Sequence, residues 1–112
     1  MRIKKKSHET FKREDAHGGA GGRKLLLGDR EIANIQGMTH GFLPGGGKFA
    51  LHSHEGMNEA MYVLKGHGVV RDEDGEYPYA PGDLFVFEKN ILHEIENSSS
   101  EEHEYIFVRI YE

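Results

Sequence analysis

The 112-residue chain contains no cysteine, which excludes a disulfide framework, a thiolate metal site and a cysteine nucleophile. It also lacks a long apolar run. Leu25-Leu26-Leu27 is too short for a signal or membrane helix, which needs at least about 18 apolar residues in the spanning case. These two absences set the expectation of a cytoplasmic protein with no membrane partner. No segment holds a helical period, and neither an internal repeat nor a low-complexity tract is present. At this length the expectation is one domain around one core.

What is present favours strands. Fifteen glycines and 10% aromatic residues point to short strands joined by tight turns. Apolar runs with β-type alternation recur between turn signals: Lys24–Leu27, Ile32–Leu43, Phe49–His54, Glu59–Leu64, Val69–Asp72, Glu76–Tyr79, Leu84–Phe87, His93–Glu96 and Tyr105–Tyr111. Asp74-Gly75 suits the positive φ of a hairpin turn. Strands at this spacing read as an all-β sandwich or small barrel.

The net charge of −5 is unevenly spread, with eight Lys/Arg against three Asp/Glu in residues 1–24 and six against sixteen in residues 25–112. Residues 1–22 are expected to be a flexible basic arm, closed by Gly18, Gly19, Gly21 and Gly22, and residues 23–112 the folded domain. A basic arm can serve nucleic acid. The acidic body opposes that, because it would repel phosphate, so no nucleic-acid partner is expected.

Four residues stand out as a constellation. His52 and His54, two apart on an expected strand, leave the same face. Glu59 opens the next strand after a four-residue turn, and His93 arrives from a later one. Three imidazoles and a carboxylate suit Mn, Fe, Co, Ni, Cu or Zn and are too nitrogen-rich for Mg or Ca.

The wider spacing resembles the cupin superfamily. Gly46, His52-Ser53-His54, Glu59 and Gly66 stand as in the first cupin motif. Gly82, Glu88, Asn90, His93 and Asn97 follow the second, with Glu88 where Pro is usual and Asn90 where Gly is usual. The resemblance covers about residues 25–112 and implies a small double-stranded β-helix, a jelly-roll-like barrel. It also implies that His52, His54, Glu59 and His93 hold one divalent transition metal. Asn90 tolerates left-handed backbone, so that turn can survive, whereas Glu88 lacks the fixed φ of Pro.

Such a cupin is expected to bind a small polar organic molecule, with dioxygenase-type chemistry as the leading function. A sugar or sugar-acid isomerase or lyase, and a non-catalytic ligand-binding module, are the alternatives. His40, with Glu59, is the candidate proton-transfer group. Met61 shares the face of Glu59 and is expected to line the pocket. Arg109 is assigned to the outside or to a dimer contact, because Ile106, Val108 and Ile110 form the more aliphatic face of the last strand. His8, His17, His67 and His103 receive no role. Edge strands that need covering and the family's habit of pairing by sheet exchange lead to an expected homodimer.

Overall fold

The computed structural model describes residues 2–112. A short 3-10 turn, His8–Thr10, precedes ten strands. They are β1 (Arg13–Ala16), β2 (Gly21–Leu27), β3 (Ile35–Leu43), β4 (Lys48–His52), β5 (Met57–Lys65), β6 (Gly68–Arg71), β7 (Glu76–Tyr79), β8 (Leu84–Phe87), β9 (His93–Glu96) and β10 (His103–Tyr111). They form a six-stranded sheet ordered β1-β2-β3-β10-β5-β8 and a four-stranded sheet ordered β4-β9-β6-β7. Every pairing is antiparallel, and the two sheets face each other as a jelly-roll-like barrel, as expected.

The side chains between the sheets make the core. Leu43, Phe49, Met61, Val63, Val70, Tyr79, Phe87, Ile95, Tyr105 and Phe107 form one buried cluster. Strand β10 shows how a period of two can mislead. Tyr105 and Phe107 point inward, at 0% and 6% exposure, while Ile110 on the aliphatic face is 37% exposed. Both faces of this strand are apolar, so alternation alone does not say which one is buried. The large rings fill the barrel, and Arg109 goes inward with them, contrary to the sequence expectation.

The boundary at residues 22 and 23 also moves. Strand β1 pairs with β2 from Arg13↔Lys24 to Ala16↔Gly21, so residues 13–16 and 21–22 lie in the sheet rather than in a free arm, joined by a turn at residues 17–20. Arg13 forms an ion pair with Glu102 and lies 3.9 Å over the Phe42 ring. Gly21, expected to help close a flexible arm, is a close-packing position. A Cβ there would come within 2.4 Å of the Phe42 carbonyl and 2.6 Å of the Phe49 ring.

Strand β10 spans the barrel and places different chemistry at each end. At one end His103, 2% exposed, has Nδ1 2.6 Å from the Tyr79 hydroxyl and Nε2 3.1 Å from Ser99 Oγ. The Tyr79 and Tyr105 hydroxyls are 2.6 Å apart. Beside them, Asn97 is fully buried and donates to the carbonyls of Leu43, Pro44 and Glu101 at 2.7–3.2 Å. This end is a satisfied polar plug. Arg109, six residues further along β10 and therefore about 20 Å away, belongs to the other end.

Burial, with the nearby His67, lowers the His103 pKa below its ordinary value of 6.5. The unfolded chain therefore takes up this proton first as the pH falls. The stability contributed by neutral His103 is complete above about pH 6.5 and is lost between there and the lower folded-state value. Urea midpoints of the chelator-treated protein are expected to fall below about pH 6.5, with a shallower slope in His103→Gln. Identical slopes in the two proteins would show that this imidazole does not carry the effect.

Candidate metal centre

The four expected ligands converge at the open end of the barrel. His52 closes β4 and pairs in register with His93, the first residue of β9. His54 lies two residues beyond the end of β4, and Glu59 is on β5, opposite Phe87 on β8 and Arg109 on β10. One ligand atom from each of His52, His54, Glu59 and His93 can be chosen so that all four lie within 4.8 Å of one another. Asn90 holds φ at 65°, so the turn before His93 uses the left-handed conformation that asparagine tolerates.

The surroundings prepare these side chains for a cation. His52 Nδ1 donates to the Ala50 carbonyl at 2.7 Å, and His93 Nδ1 donates to the Ile91 carbonyl at 2.9 Å. With Nδ1 carrying the proton, each Nε2 presents its lone pair to the centre. Phe87 stacks on the His93 ring at 3.9 Å and 4°, which holds the imidazole plane. The Nε2 atoms of His54 and His93 are buried without a hydrogen-bond partner. Each lies 3.4 Å from a Glu59 oxygen without forming a hydrogen bond to it. A buried polar atom left unmade costs about 1–3 kcal/mol. Two such nitrogens aimed at one carboxylate are what a divalent ion would satisfy, so the residues fit a first-row metal.

Glu59 is 3% exposed. Burial raises its pKa, but His54, His93 and Arg109 outweigh that and hold the carboxyl well below its usual range. Burial likewise lowers the His52 pKa, against the partial support of the Ala50 carbonyl. Both shifts keep the protonation states a metal requires, an ionised carboxylate and a neutral imidazole.

A cavity of about 210 Å³ opens above the ligands, bordered by His17, Thr39, His52, Glu59, Phe107 and Arg109. Arg109 crosses its wall, with one terminal nitrogen 3.3 Å from Glu59 and Nε donating to Gln36 at 2.7 Å. His40 is not part of it. Its neighbours Thr39 and Gly41 line the cavity, while its own ring lies 4.4 Å from Phe42 and its Nε2 is 2.8 Å from Glu104. The period of two that brings Thr39 in turns His40 out, so His40 is not placed to exchange protons at the metal. Met61 is fully buried core rather than cavity wall. Arg109 and His17 are among the cavity residues that sequence reasoning missed. The only signal for Arg109 was a lone cation on an otherwise apolar strand, and His17 had none.

An antiparallel barrel with three imidazoles and a carboxylate gathered at its mouth has the architecture of a cupin barrel with a candidate metal site. The family model for the cupin domain matches residues 38–109, and the chain belongs to that family. It is 37% identical over 68 residues to an oxalate-binding protein from Thermotoga maritima, a match that spans 61% of this chain and 56% of that protein. The crystal structure of a predicted oxalate decarboxylase, also from Thermotoga maritima, superposes with a TM-score of 0.78 at 29% identity. That superposition covers 92% of this chain and 93% of the other. A sugar phosphate isomerase of the cupin superfamily from Silicibacter pomeroyi shares the fold, with a TM-score of 0.81 at 20% identity over 97% of this chain and 76% of that one. No helix among the described residues is long and apolar enough to cross a membrane.

Proposed function

We propose that this cupin binds a small carboxylic acid of the oxalate class at a first-row divalent metal held by His52, His54, Glu59 and His93, and supports its oxygen-dependent oxidation. Oxalate would give up two electrons to dioxygen as its carbon–carbon bond breaks to two carbon dioxide molecules and hydrogen peroxide forms. The observation that carries the reading is Arg109. Its side chain is only 16% exposed and reaches the cavity beside Glu59, where a guanidinium fork can pair a carboxylate that approaches the metal. The cavity, about 210 Å³, is smaller than the roughly 300–1,000 Å³ of sites for drug-sized ligands and suits an acid of a few carbon atoms. The name of the relative matched at 37% identity points the same way.

A bound ion would supply Lewis acidity and, if redox-active, oxygen chemistry. The chain's own contribution is positional. Arg109 orients the acid, Phe49 and Phe107 make the cavity floor apolar, and Thr39 offers a hydroxyl along its wall. With His40 turned away, an isomerase or lyase reading loses its expected proton carrier. Four protein ligands leave coordination positions open on a five- or six-coordinate ion, which favours chemistry over storage.

Calorimetry of metal-loaded protein with oxalate, run beside an oxygen electrode, tests both halves of this reading. Binding with oxygen uptake supports the whole of it. Binding without uptake or decarboxylation supports only a ligand-binding module, and no binding rejects the acid.

We also propose a cytoplasmic location and a second copy of the chain as partner. The outer face of the six-stranded sheet supports that partner. Tyr62, Leu64, Leu84, Val86 and Ile110 are 37–64% exposed there, and β8 is an edge strand. An apolar sheet face with an open edge is a surface that soluble proteins cover. Light scattering is expected to report two chains per particle, and Leu84→Lys with Val86→Lys is expected to give one. A monomeric parent would remove the dimer from the proposal.

A further inference from the structure

The hairpin joining β1 to β2 carries features that the metal site does not need. His17, Gly18 and Gly19 hold three consecutive positive φ angles of 52°, 66° and 93°. The left-handed region is unfavourable for a histidine, whereas glycine enters it freely. The turn is also unpacked, since a Cβ at Gly18 or Gly19 would meet nothing within 4 Å. Strand β1 is an edge with β2 as its sheet neighbour. Beyond its backbone pairing with β2, its ion pairs lie toward its base, between Arg13 and Glu102 and between Glu14 and Arg23.

What this turn holds over the barrel mouth is an imidazole. The His17 ring stacks on Phe49 at 4.1 Å and 23°, and meets the His52 ring edge-on at 5.2 Å. Together with Ala16 it borders the cavity that Glu59 and Arg109 also line, while the residue itself stays exposed to solvent. A backbone conformation costly for His is thus maintained where its ring rests on one wall of the cavity. Strained residues of this kind cluster at ligand clamps.

We propose that His17, carried on this glycine turn, is the movable wall that sets ligand size. It stacks on Phe49 to close the cavity over short acids and stands in the way of longer ones. The proposal rests on the small-acid reading above and adds a specificity-determining residue to it.

The test uses the full chain loaded with manganese and titrates it calorimetrically with oxalate and with citrate. The parent is expected to prefer oxalate. In His17→Ala the citrate-to-oxalate affinity ratio is expected to rise at least about tenfold, the usual scale for a change in pocket size, with metal content unchanged. His17→Phe, which restores a ring, is expected to return the preference toward the parent's. Gly19→Ala, which strains the turn at φ 93° and leaves the imidazole intact, is expected to move the ratio in the same direction as His17→Ala. It serves as the deciding variant if His17→Ala does not fold. Hydrogen exchange adds a readout independent of affinity, with the amides of residues 13–22 slowing when oxalate binds. An unchanged ratio in a variant that binds oxalate overturns the wall while leaving the small-acid reading in place. A manganese-loaded parent that binds neither acid overturns both.

Discussion

Protein purified without chelator is expected to carry about one equivalent of a first-row metal, and Glu59→Gln or His93→Ala to carry almost none. Glu59→Gln keeps the side-chain shape but removes the charge that faces two unpartnered imidazole nitrogens. His93→Ala removes one of those nitrogens together with the ring stacked on Phe87. Loss of an outer-sphere partner alone typically costs 10–100-fold in metal affinity, so loss of a ligand is expected to cost at least about a hundredfold. Metal at one hundred times its dissociation constant adds about 2.7 kcal/mol to the folded state. At roughly 4–8 °C per kcal/mol for a domain near this size, the parent should melt about 10–20 °C higher with metal than without. The two variants should show almost none of that rise. Elemental analysis and paired thermal melts decide the matter. A parent that takes up no metal on reconstitution, or variants that keep it, would reject this ligand set.

Arg109→Ala should retain the metal and lose the acid. Truncating one partner of a buried, hydrogen-bonded charge pair costs about 2–5 kcal/mol, which corresponds to roughly thirtyfold to a few thousandfold weaker oxalate binding. Arg109→Lys keeps the charge but not the planar fork, so it is expected to fall between Ala and the parent. The variant also tests the electrostatics at Glu59, because Arg109 is one of the groups that hold that carboxyl ionised. Calorimetry on metal-loaded protein gives the answer. Parent-like oxalate affinity in Arg109→Ala would remove the guanidinium from the binding site and, with it, the main support for an anionic ligand.

His52, His54, Glu59 and His93 were legible because their chemistry is written in residue type and spacing. Polar, metal-competent residues recur at turn and strand positions where burial without a partner is costly. The all-β class was legible for a similar local reason, since alternation and turn residues act over a few positions. Asn90 shows the same locality, its tolerance of positive φ being a property of the side chain itself.

Three placements needed the tertiary structure. Which face of β10 is inside depends on what β3, β5 and the opposite sheet leave to be filled, and both faces of that strand are apolar. That choice carried Arg109 inward. His40 was turned outward by the register of β3 against β10, in which it sits opposite Ile106, and a one-residue slip would have reversed it. His17 lies 35 residues from His52 in sequence, in a segment with no apolar pattern, and reaches the cavity only because β1 folds back on β2. The sequence by itself therefore determined the fold class and the metal-competent residues, through short-range propensity and side-chain chemistry. The tertiary structure alone decided what surrounds them, because the direction in which a strand residue points is settled by packing against distant segments.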